Sequence, residues 1–304
     1  MTPMNSRRLI AIAWFGFAAA CGARTGLLAP EEENDASIDA GHDVKKDTAD
    51  AFDAPQDVVF PDVPIISDCP DAGETLVYVL GAANELYSFY PPTLTFKSIG
   101  TIACQSNSSP NSMAVTRSGI AFTNFLDGEL FEISTANAAC KATTYLSNQF
   151  GWTTYGMGYA GLADGGETLF VAGNGTNGVS KGLGFIDTTS FTLGVVGPFQ
   201  PQQSNCELSG TGAGQLFGFC PNGTGSTVIE IDPMSAKVLS SHTLSAGSNA
   251  SSFAFAFWGG TFWIFSGNGG SLVTNYDPSS KKETNVTNAP IEIVGAGVST
   301  CAPL

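Results

Sequence analysis

The sequence of 304 residues is 43% hydrophobic and only 13% charged, and its formal net charge at pH 7 is −15. This composition supplies enough apolar material for a large core, either in one all-β domain or in two average domains. The acidic balance excludes nucleic-acid binders, which need a basic footprint. Most of the acidity belongs to residues 31–74, with 14 acidic residues against two lysines, whereas residues 75–304 have 13 against seven basic residues.

Residues 1–20 have the three regions of a secretory signal peptide: two arginines, a 12-residue apolar run and small residues at the cleavage site. The apolar run is too short to span a bilayer. The small residues at the end of this run, followed by Cys21, resemble the lipobox of bacterial lipoproteins, where signal peptidase II cleaves before a cysteine that is then diacylated. Ala18 stands where that family usually has leucine. The resemblance implies lipidation of Cys21, and the alternative is an ordinary signal with an incidental cysteine.

The segment that follows Cys21, with its Asp/Ala-rich tract, is similar to surface lipoproteins of myxobacteria. Gly22 is not the aspartate that holds enterobacterial lipoproteins at the inner membrane. We therefore expect a cell-envelope protein anchored by lipid, in the outer membrane, with periplasmic and surface-exposed orientations both open. We expect the protein to be a monomer that is anchored to the membrane by lipid and does not bind nucleic acid.

Residues 21–70 are predicted to form the lipidated N-terminus and a disordered acidic linker. Same-sign charge and few large apolar residues favour an extended, disordered chain. Asp39, Asp43 and Asp47 have the spacing of a partial calcium loop, but the glycine and terminal glutamate of an EF-hand are missing at the required offsets. A tether is therefore the better interpretation.

From residue 71 onward, an apolar run that ends in a turn recurs five times. The aligned positions are separated by 44, 53, 45 and 45 residues, and they are Phe89, Ile133, Ile186, Ile231 and Tyr276. A period near 45 with no helical periodicity predicts about four short strands per copy, as in a β-propeller blade. The fourth copy shows this best, with predicted strands at 207–212, 215–219, 227–231 and 237–243.

The two ends of the repeat region predict five blades. The first copy begins directly with its second strand, at residues 76–80, and an unassigned strand, 291–300, follows the fifth copy. If this last strand supplies the inner strand of the first blade, no long sheet edge stays unpaired. Residues 71–304 are therefore predicted to form an all-β, five-bladed propeller closed by a C-terminal strand. The resemblance is to the architecture, because no Trp-Asp or kelch signature is present.

Six cysteines besides Cys21 point to disulfides in an exported protein. Cys206 and Cys220 lie at one end of a predicted hairpin, and Cys69 and Cys301 flank the strands that close the ring. The remaining pair is predicted to be Cys104 with Cys140.

Residues for metal or nucleophilic chemistry are scarce. The only histidines, His42 and His242, lie in the linker and in a predicted outer strand. No zinc site, cofactor or Ser-His-Asp device is predicted. Asparagine follows the second strand of each copy, at Asn84, Asn124, Asn174, Asn222 and Asn268. Turn chemistry at φ > 0 is the favoured explanation, and a polar ring on one face is the alternative.

The connections between blades predict a ligand-binding face. Aromatic and amide side chains in these connections suit a glycan or peptide, although Trp152 could instead pack between blades. The predicted residues are Asn107, Trp152, Tyr155, Gln203, Asn205 and Asn249.

Two functions are compatible with this pattern. The first is a non-catalytic binding or scaffold module for a glycan, peptide or protein. The alternative is a propeller enzyme of the lactonase or lyase type acting at the central channel. Glu207 and Glu292 are the inward-facing acidic candidates for that chemistry, and no catalytic set is apparent around them.

Overall fold

The computed structural model describes Cys69 and residues 75–304, which form twenty strands in five antiparallel four-stranded sheets. The predictions for the signal peptide, for Cys21 and for the acidic linker lie outside the described residues. The five sheets are the blades of a five-bladed β-propeller, as the repeat period predicts. Their innermost strands pack against one another around the central axis.

The strands of each blade are given from the axis outward. Blade 1 contains β20 (Ile293–Val298), β1 (Val77–Gly81), β2 (Glu85–Tyr90) and β3 (Thr95–Thr101). Blade 2 contains β4 (Pro110–Val115), β5 (Ile120–Phe125), β6 (Leu130–Ser134) and β7 (Cys140–Ala142). Blade 3 contains β8 (Tyr155–Gly161), β9 (Glu167–Gly173), β10 (Gly182–Asp187) and β11 (Thr192–Gly197). Blade 4 contains β12 (Glu207–Gly210), β13 (Leu216–Pro221), β14 (Ser226–Ile231) and β15 (Val238–Leu244). Blade 5 contains β16 (Ser252–Trp258), β17 (Thr261–Gly267), β18 (Leu272–Asp277) and β19 (Lys282–Asn288). Three short 3-10 turns lie in the connections, at Pro91–Thr93, Gln149–Gly151 and Thr176–Gly178.

The C-terminal strand closes the ring. β20 pairs antiparallel with β1, with Val298 opposite Val77 and Gly295 opposite Leu80. The Cys69–Cys301 disulfide joins the segments before β1 and after β20, with a Cα–Cα distance of 5.2 Å. Closure by the last strand, predicted from the incomplete first copy, is confirmed.

The other two disulfides also have the predicted partners. Cys206–Cys220 joins the start of β12 to the end of β13, the two inner strands of blade 4, with a Cα–Cα distance of 4.1 Å. Cys104–Cys140 joins the connection between blades 1 and 2 to the outer strand β7. Disulfides persist in oxidising compartments, so they indicate a periplasmic or extracellular location.

Each turn between the third and fourth strands explains the repeated sequence motif. Asp187, Asp232 and Asp277 accept hydrogen bonds from backbone N–H groups two or three residues later. Five residues after each aligned apolar position, the chain adopts the left-handed conformation without a glycine. These residues are Leu94, Ala138, Phe191, Ala236 and Lys281, with φ between 55° and 61°. The repeat is therefore a repeated turn as well as a repeated strand.

Glycines allow the inner strands to approach one another. A Cβ built on Gly156 would lie 2.0 Å from the Cys206 carbonyl oxygen, and one on Gly158 would lie 2.7 Å from the Leu208 carbonyl carbon. Blades 3 and 4 therefore pack backbone against backbone along the axis. Gly295 of the closing strand makes a similar approach to β4, with a built Cβ 3.0 Å from the Met113 nitrogen.

The apolar core lies between neighbouring blades. Between blades 5 and 1, the Phe89 ring packs edge-on against Trp263 and Phe265, at centroid distances of 5.3 and 5.7 Å. Between blades 4 and 5, Phe217 stacks on Phe257 at 5.3 Å. Burial of such rings stabilises blade contacts, so each blade depends on its neighbours.

Candidate binding site at the channel mouth

One end of the central axis carries a depression of about 520 Å³, which we call the mouth. The turns between second and third strands and the connections between blades meet at this end. All five blades line the mouth, through residues that include Val294, Asn111, Asn174, Glu207 and Ser252. Loops held by a rigid scaffold are where binding sites commonly form.

Glu207 is the one ionisable residue among those that line the mouth. It begins the inner strand β12 and is only 5% exposed. The Ser112 hydroxyl, from blade 2, donates a 2.6 Å hydrogen bond to its Oε2. The Met157 N–H of blade 3 donates in turn to Ser112 Oγ at 3.1 Å. Residues of three blades therefore fix this carboxyl group.

Burial raises the pKa of Glu207 well above its ordinary value. Desolvation destabilises the charged form, and the hydrogen bonds from Ser112 and the Met157 backbone only partly oppose that effect. The site thus contains a carboxyl group that ionises reluctantly until a compensating charge arrives. The repeat pattern predicts Glu207 at the channel, whereas no sequence signal points to Ser112, which lies 95 residues earlier.

The amides of the mouth are oriented by the protein. Asn111 Nδ2 donates to the Tyr155 carbonyl at 3.0 Å and to Asn124 Oδ1 at 3.3 Å. Asn174 Nδ2 donates to Thr154 Oγ1 at 3.3 Å. In both cases the nitrogen donates within the protein, and no group of the described residues donates to the amide oxygen.

The two aromatic residues of the predicted ligand-binding face are buried. Trp152 is 4% exposed and Tyr155 is 0% exposed. The Trp152 ring packs over Gly173 and Gly184, so close that a Cβ on Gly173 would lie 2.7 Å from it. These rings belong to the core between blades 2 and 3 and are unavailable for stacking on a ligand. The alternative role for Trp152, packing between blades, is the one that the structure has.

The amide residues of that predicted face have different positions. Asn205 lines the mouth, and its Oδ1 accepts a hydrogen bond from the Gly175 N–H at 3.0 Å. Asn107, Gln203 and Asn249 lie in connections between blades and do not line the mouth. The structure therefore brings Asn205 together with Glu207 and Asn174, and leaves the other three amides at the periphery.

Turn chemistry explains only part of the recurring asparagines. Asn84 alone among them has a positive φ, of 71°. Asn222 Oδ1 accepts the Gly225 N–H, as in an Asx turn. Asn124 is fully buried and bridges β5 to the connection between blades 2 and 3, while Asn268 accepts the Ser251 N–H. The repeated residue type thus serves several local structures.

Apolar side chains stand at the rim of the mouth. Leu126 lines it and is 54% exposed, and Val179 is 49% exposed next to the lining residue Gly178. Both follow the second strand of their blade, so they face the same end of the propeller. We call Leu126 and Val179 the apolar rim. Two exposed apolar side chains therefore stand beside a polar depression.

The opposite end of the axis is tied together by one basic residue. Arg117 Nε donates to Thr300 Oγ1 at 2.7 Å, and the Arg117 N–H donates to Glu167 Oε1 at 3.0 Å. Thr300 Oγ1 also donates to Glu167 Oε2 at 2.8 Å. These bonds join blades 2 and 3 to the end of the closing strand.

Among residues 75–304 and Cys69, no group of three or more His, Cys, Asp or Glu side chains is arranged to hold a metal ion. Glu292 lies at the mouth end, where its carbonyl accepts the Ala82 N–H. His242 is in the outer strand β15 and lies 6.2 Å from the Tyr276 ring. Neither residue joins Glu207 in the mouth. Within the described part of the chain, no helix has the length and apolar character needed to cross a membrane.

The sequence matches no family model and no curated protein. Similar solved structures include a chain of a nidogen/laminin complex, with 8% identity and a TM-score of 0.50, covering 75% of this chain and 99% of that one. A protein of unknown function from Bacteroides caccae has 15% identity and a TM-score of 0.37, covering 71% of this chain and 73% of that one. Hydrazine synthase of Kuenenia stuttgartiensis has 14% identity and a TM-score of 0.40, covering 72% and 64%.

At 8% identity, the likeness to the chain of the nidogen/laminin complex shows the fold alone. The fold and the mouth together define a five-bladed β-propeller with disulfide bonds and a depression at one end of its central axis.

Glu207→Gln is expected to make stability less dependent on pH. Because the folded-state pKa of Glu207 is raised, the folded protein binds more protons than the unfolded chain between the two pKa values. Wild-type stability therefore falls as the pH rises through that interval. The amide has no proton to lose, so the free energy of unfolding of the variant should increase relative to that of the wild type as the pH rises. Urea unfolding of both proteins from about pH 4 to about pH 9 measures this difference.

Asp277→Asn provides the control with the opposite sign. Hydrogen bonds from Ser279 and Ser280 lower the pKa of Asp277 to about 2. Its contribution is present above the ordinary carboxyl pKa and is lost as the pH falls through the lowered value. The difference in free energy of unfolding between Asp277→Asn and the wild type should stay constant over the pH interval in which Glu207 titrates. Parallel curves for wild type and Glu207→Gln would contradict the raised pKa.

Proposed function

We propose that this protein is an exported, lipid-anchored binding module whose mouth holds a peptide segment of a protein partner without altering it chemically. The observation that carries the proposal is the open mouth of about 520 Å³ with its apolar rim. Leu126 and Val179 offer apolar anchors, and the amides beside them offer hydrogen bonds. Interfaces typically combine such anchors with a polar surround.

A peptide is favoured over a glycan because the mouth offers little aromatic surface: Phe253, the one aromatic residue among the described residues that line it, is half-buried beside the Phe219 ring. Trp152 and Tyr155 are buried, and aromatic faces are what sugars commonly stack on. The similar fold in a chain of a nidogen/laminin complex gives an example of a propeller in a protein–protein assembly. Peptide recognition by the apolar rim is therefore the better-supported form of the binding-module hypothesis.

The alternative, an enzyme at the channel, is less well supported. General acid–base catalysis needs a group positioned for proton transfer beside the reacting atoms. Glu207 is held by Ser112, and no second ionisable side chain lines the mouth in the described residues. Binding without turnover needs no such second group.

Lipid anchoring is the second part of the proposal. The signal-like N-terminus and Cys21 support it, and the disulfides support export. Each buried CH₂ contributes about 0.8 kcal/mol, so a multiply acylated cysteine is a stable anchor. Cys21→Ser should move the protein from the membrane fraction to the soluble envelope fraction on cell fractionation. A variant that stays in the membrane fraction would show that Cys21 is not the anchor.

Selection of random peptides displayed on phage should enrich sequences that bind the immobilised wild-type protein. Synthetic copies of these peptides should bind it without being cleaved or modified. Leu126→Ser and Val179→Ser should each weaken binding about tenfold, because each removes an apolar anchor worth about 1.4 kcal/mol. Fluorescence polarisation measures the affinity, and mass spectrometry checks that the peptide stays intact.

Met234→Ser is the matched control, because Met234 is exposed but lies in a turn at the opposite end of blade 4. It should leave the affinity unchanged. Peptide binding that depends on Met234 instead of the rim would contradict the site. A glycan array that responds where peptides do not would replace the ligand class, and turnover of the ligand would favour the enzyme.

A further inference from the structure

We propose that the mouth receives a lysine or arginine side chain of the partner segment, with Glu207 as its counter-charge. This inference rests on the proposed function and adds to it the residue type that the site selects. Three features of the described residues support it: the charge at the mouth end, the orientation of the amides and the setting of the carboxyl group.

The mouth end is electronegative. Its turns and connections, with the first residue of β2, contain four acidic residues besides Glu207, and these are Glu85, Asp127, Glu129 and Glu292. Lys181 is the one basic residue in these same segments. The other basic residues of 75–304 lie in strands or in turns of the opposite end, as Arg117 and Lys237 do. Such a field attracts cations and repels acidic segments.

The amides add acceptors to this negative field. The nitrogens of Asn111 and Asn174 donate to protein oxygens, and no group of the described residues donates to their carbonyl oxygens, so both oxygens can accept a hydrogen bond from a ligand. Asn205 is the exception, because its Oδ1 accepts the Gly175 N–H. A wall of two amide oxygens and a carboxyl group matches an ammonium or guanidinium group, which has donors only.

Glu207 is positioned to discriminate between charged and neutral ligands. Ser112 Oγ accepts the Met157 N–H, which leaves the Ser112 proton to hold the carboxyl group in place. Among the described residues no other ionisable side chain lines the mouth, and the neighbouring inner strands place the Ser112 hydroxyl, the Met157 N–H and Ser252 in this region. A cation brought into this desolvated setting stabilises the ionised carboxyl group, and charge-assisted hydrogen bonds are the stronger kind.

The test uses a set of short peptides that differ at one central position. That position holds lysine, arginine, acetyl-lysine or norleucine, the flanking residues are glycine and leucine, and both termini are blocked. The lysine and arginine peptides should bind about tenfold or more tightly than the norleucine peptide, because each gains a charge-assisted hydrogen bond. Acetyl-lysine should behave like norleucine. Calorimetry on the full chain measures the affinities.

Glu207→Gln should reduce the preference for lysine over norleucine to about one, since it removes the counter-charge but keeps an acceptor for Ser112. Glu292→Gln, at the same end but outside the lining of the mouth, should leave the preference intact. The affinity of the wild type for the lysine peptide should rise with pH as Glu207 ionises, while that for the norleucine peptide should not. This pH arm tests the proposal even if Glu207→Gln fails to fold.

The outcomes separate this inference from the proposed function. Equal binding of lysine and norleucine peptides would overturn the inference and leave the peptide-binding function standing. Failure of every peptide, including those enriched by phage display, would overturn the proposed function itself. A lysine preference that persists in Glu207→Gln would assign the preference to the acidic residues around the mouth and overturn the role of Glu207.

Discussion

Gly156→Ala is expected to destabilise the propeller by about 3 kcal/mol or more. A Cβ at this position would lie 2.0 Å from the Cys206 carbonyl oxygen and 2.7 Å from the Glu207 Cα. Both are backbone atoms of the neighbouring inner strand, so no side chain can rotate away to relieve the overlap. Blades 3 and 4 would have to separate at the axis. Denaturant unfolding followed by tryptophan fluorescence measures the loss.

Gly270→Ala is the matched control. Neither glycine has a φ in the left-handed region, and a Cβ on Gly270 would meet no atom within 4 Å. The control should change stability by no more than about 0.5 kcal/mol. If both variants unfold at the same denaturant concentration, close backbone packing along the axis is not what stabilises the ring.

The blade count was predictable because it rests on local chemistry. Apolar runs of strand length and turns of fixed position recur with nearly constant spacing, and these signals survive without any long-range information. The predicted second strands agree with the structure to within two residues, as residues 76–80 do with β1 (Val77–Gly81). Closure followed from one further rule, that a sheet edge with apolar neighbours needs a partner.

The glycines of the inner strands show where sequence reasoning stopped. Gly156 and Gly158 alternate with large side chains in β8, a pattern that sequence alone cannot distinguish from a weakly packed strand. Their role appears only when β12 lies against them. The same limit applies to Ser112 and Glu207, whose bond joins residues 95 positions apart.

The sequence alone could not show whether the aromatic residues between blades 2 and 3 are buried. Trp152 stands in the connection between blades 2 and 3, and Tyr155 begins β8 directly after it. Aromatic residues at such positions either face solvent or fill the gap between sheets. Gly173 and Gly184 create the space that the Trp152 ring occupies, and these glycines lie in other strands. The position of the mouth could be predicted from the connections, whereas the side chains that line it depended on packing between blades.

Removal of residues 291–304 is expected to abolish cooperative folding. The truncation deletes β20, which pairs with β1 and approaches β4 through Gly295 and Gly297. Blade 1 would lose its innermost strand, and apolar surface shared with blades 2 and 5 would be exposed. Propeller blades depend on their neighbours, so the loss should spread beyond blade 1. Circular dichroism and urea titration of the truncated protein would show a broad, non-cooperative transition.

Variants that lack one disulfide distinguish the contribution of covalent closure to stability from that of strand pairing. Cys69 and Cys301 are 232 residues apart, and Cys206 and Cys220 are 14 apart. Because the entropy removed from the unfolded chain grows with loop length, replacing the first pair with alanine should cost about 5 kcal/mol and the second about 3 kcal/mol. Both variants keep β20, so both should still unfold cooperatively, the first at a lower urea concentration. A truncated protein as stable as the Cys69→Ala/Cys301→Ala variant would show that the closing strand contributes only its disulfide.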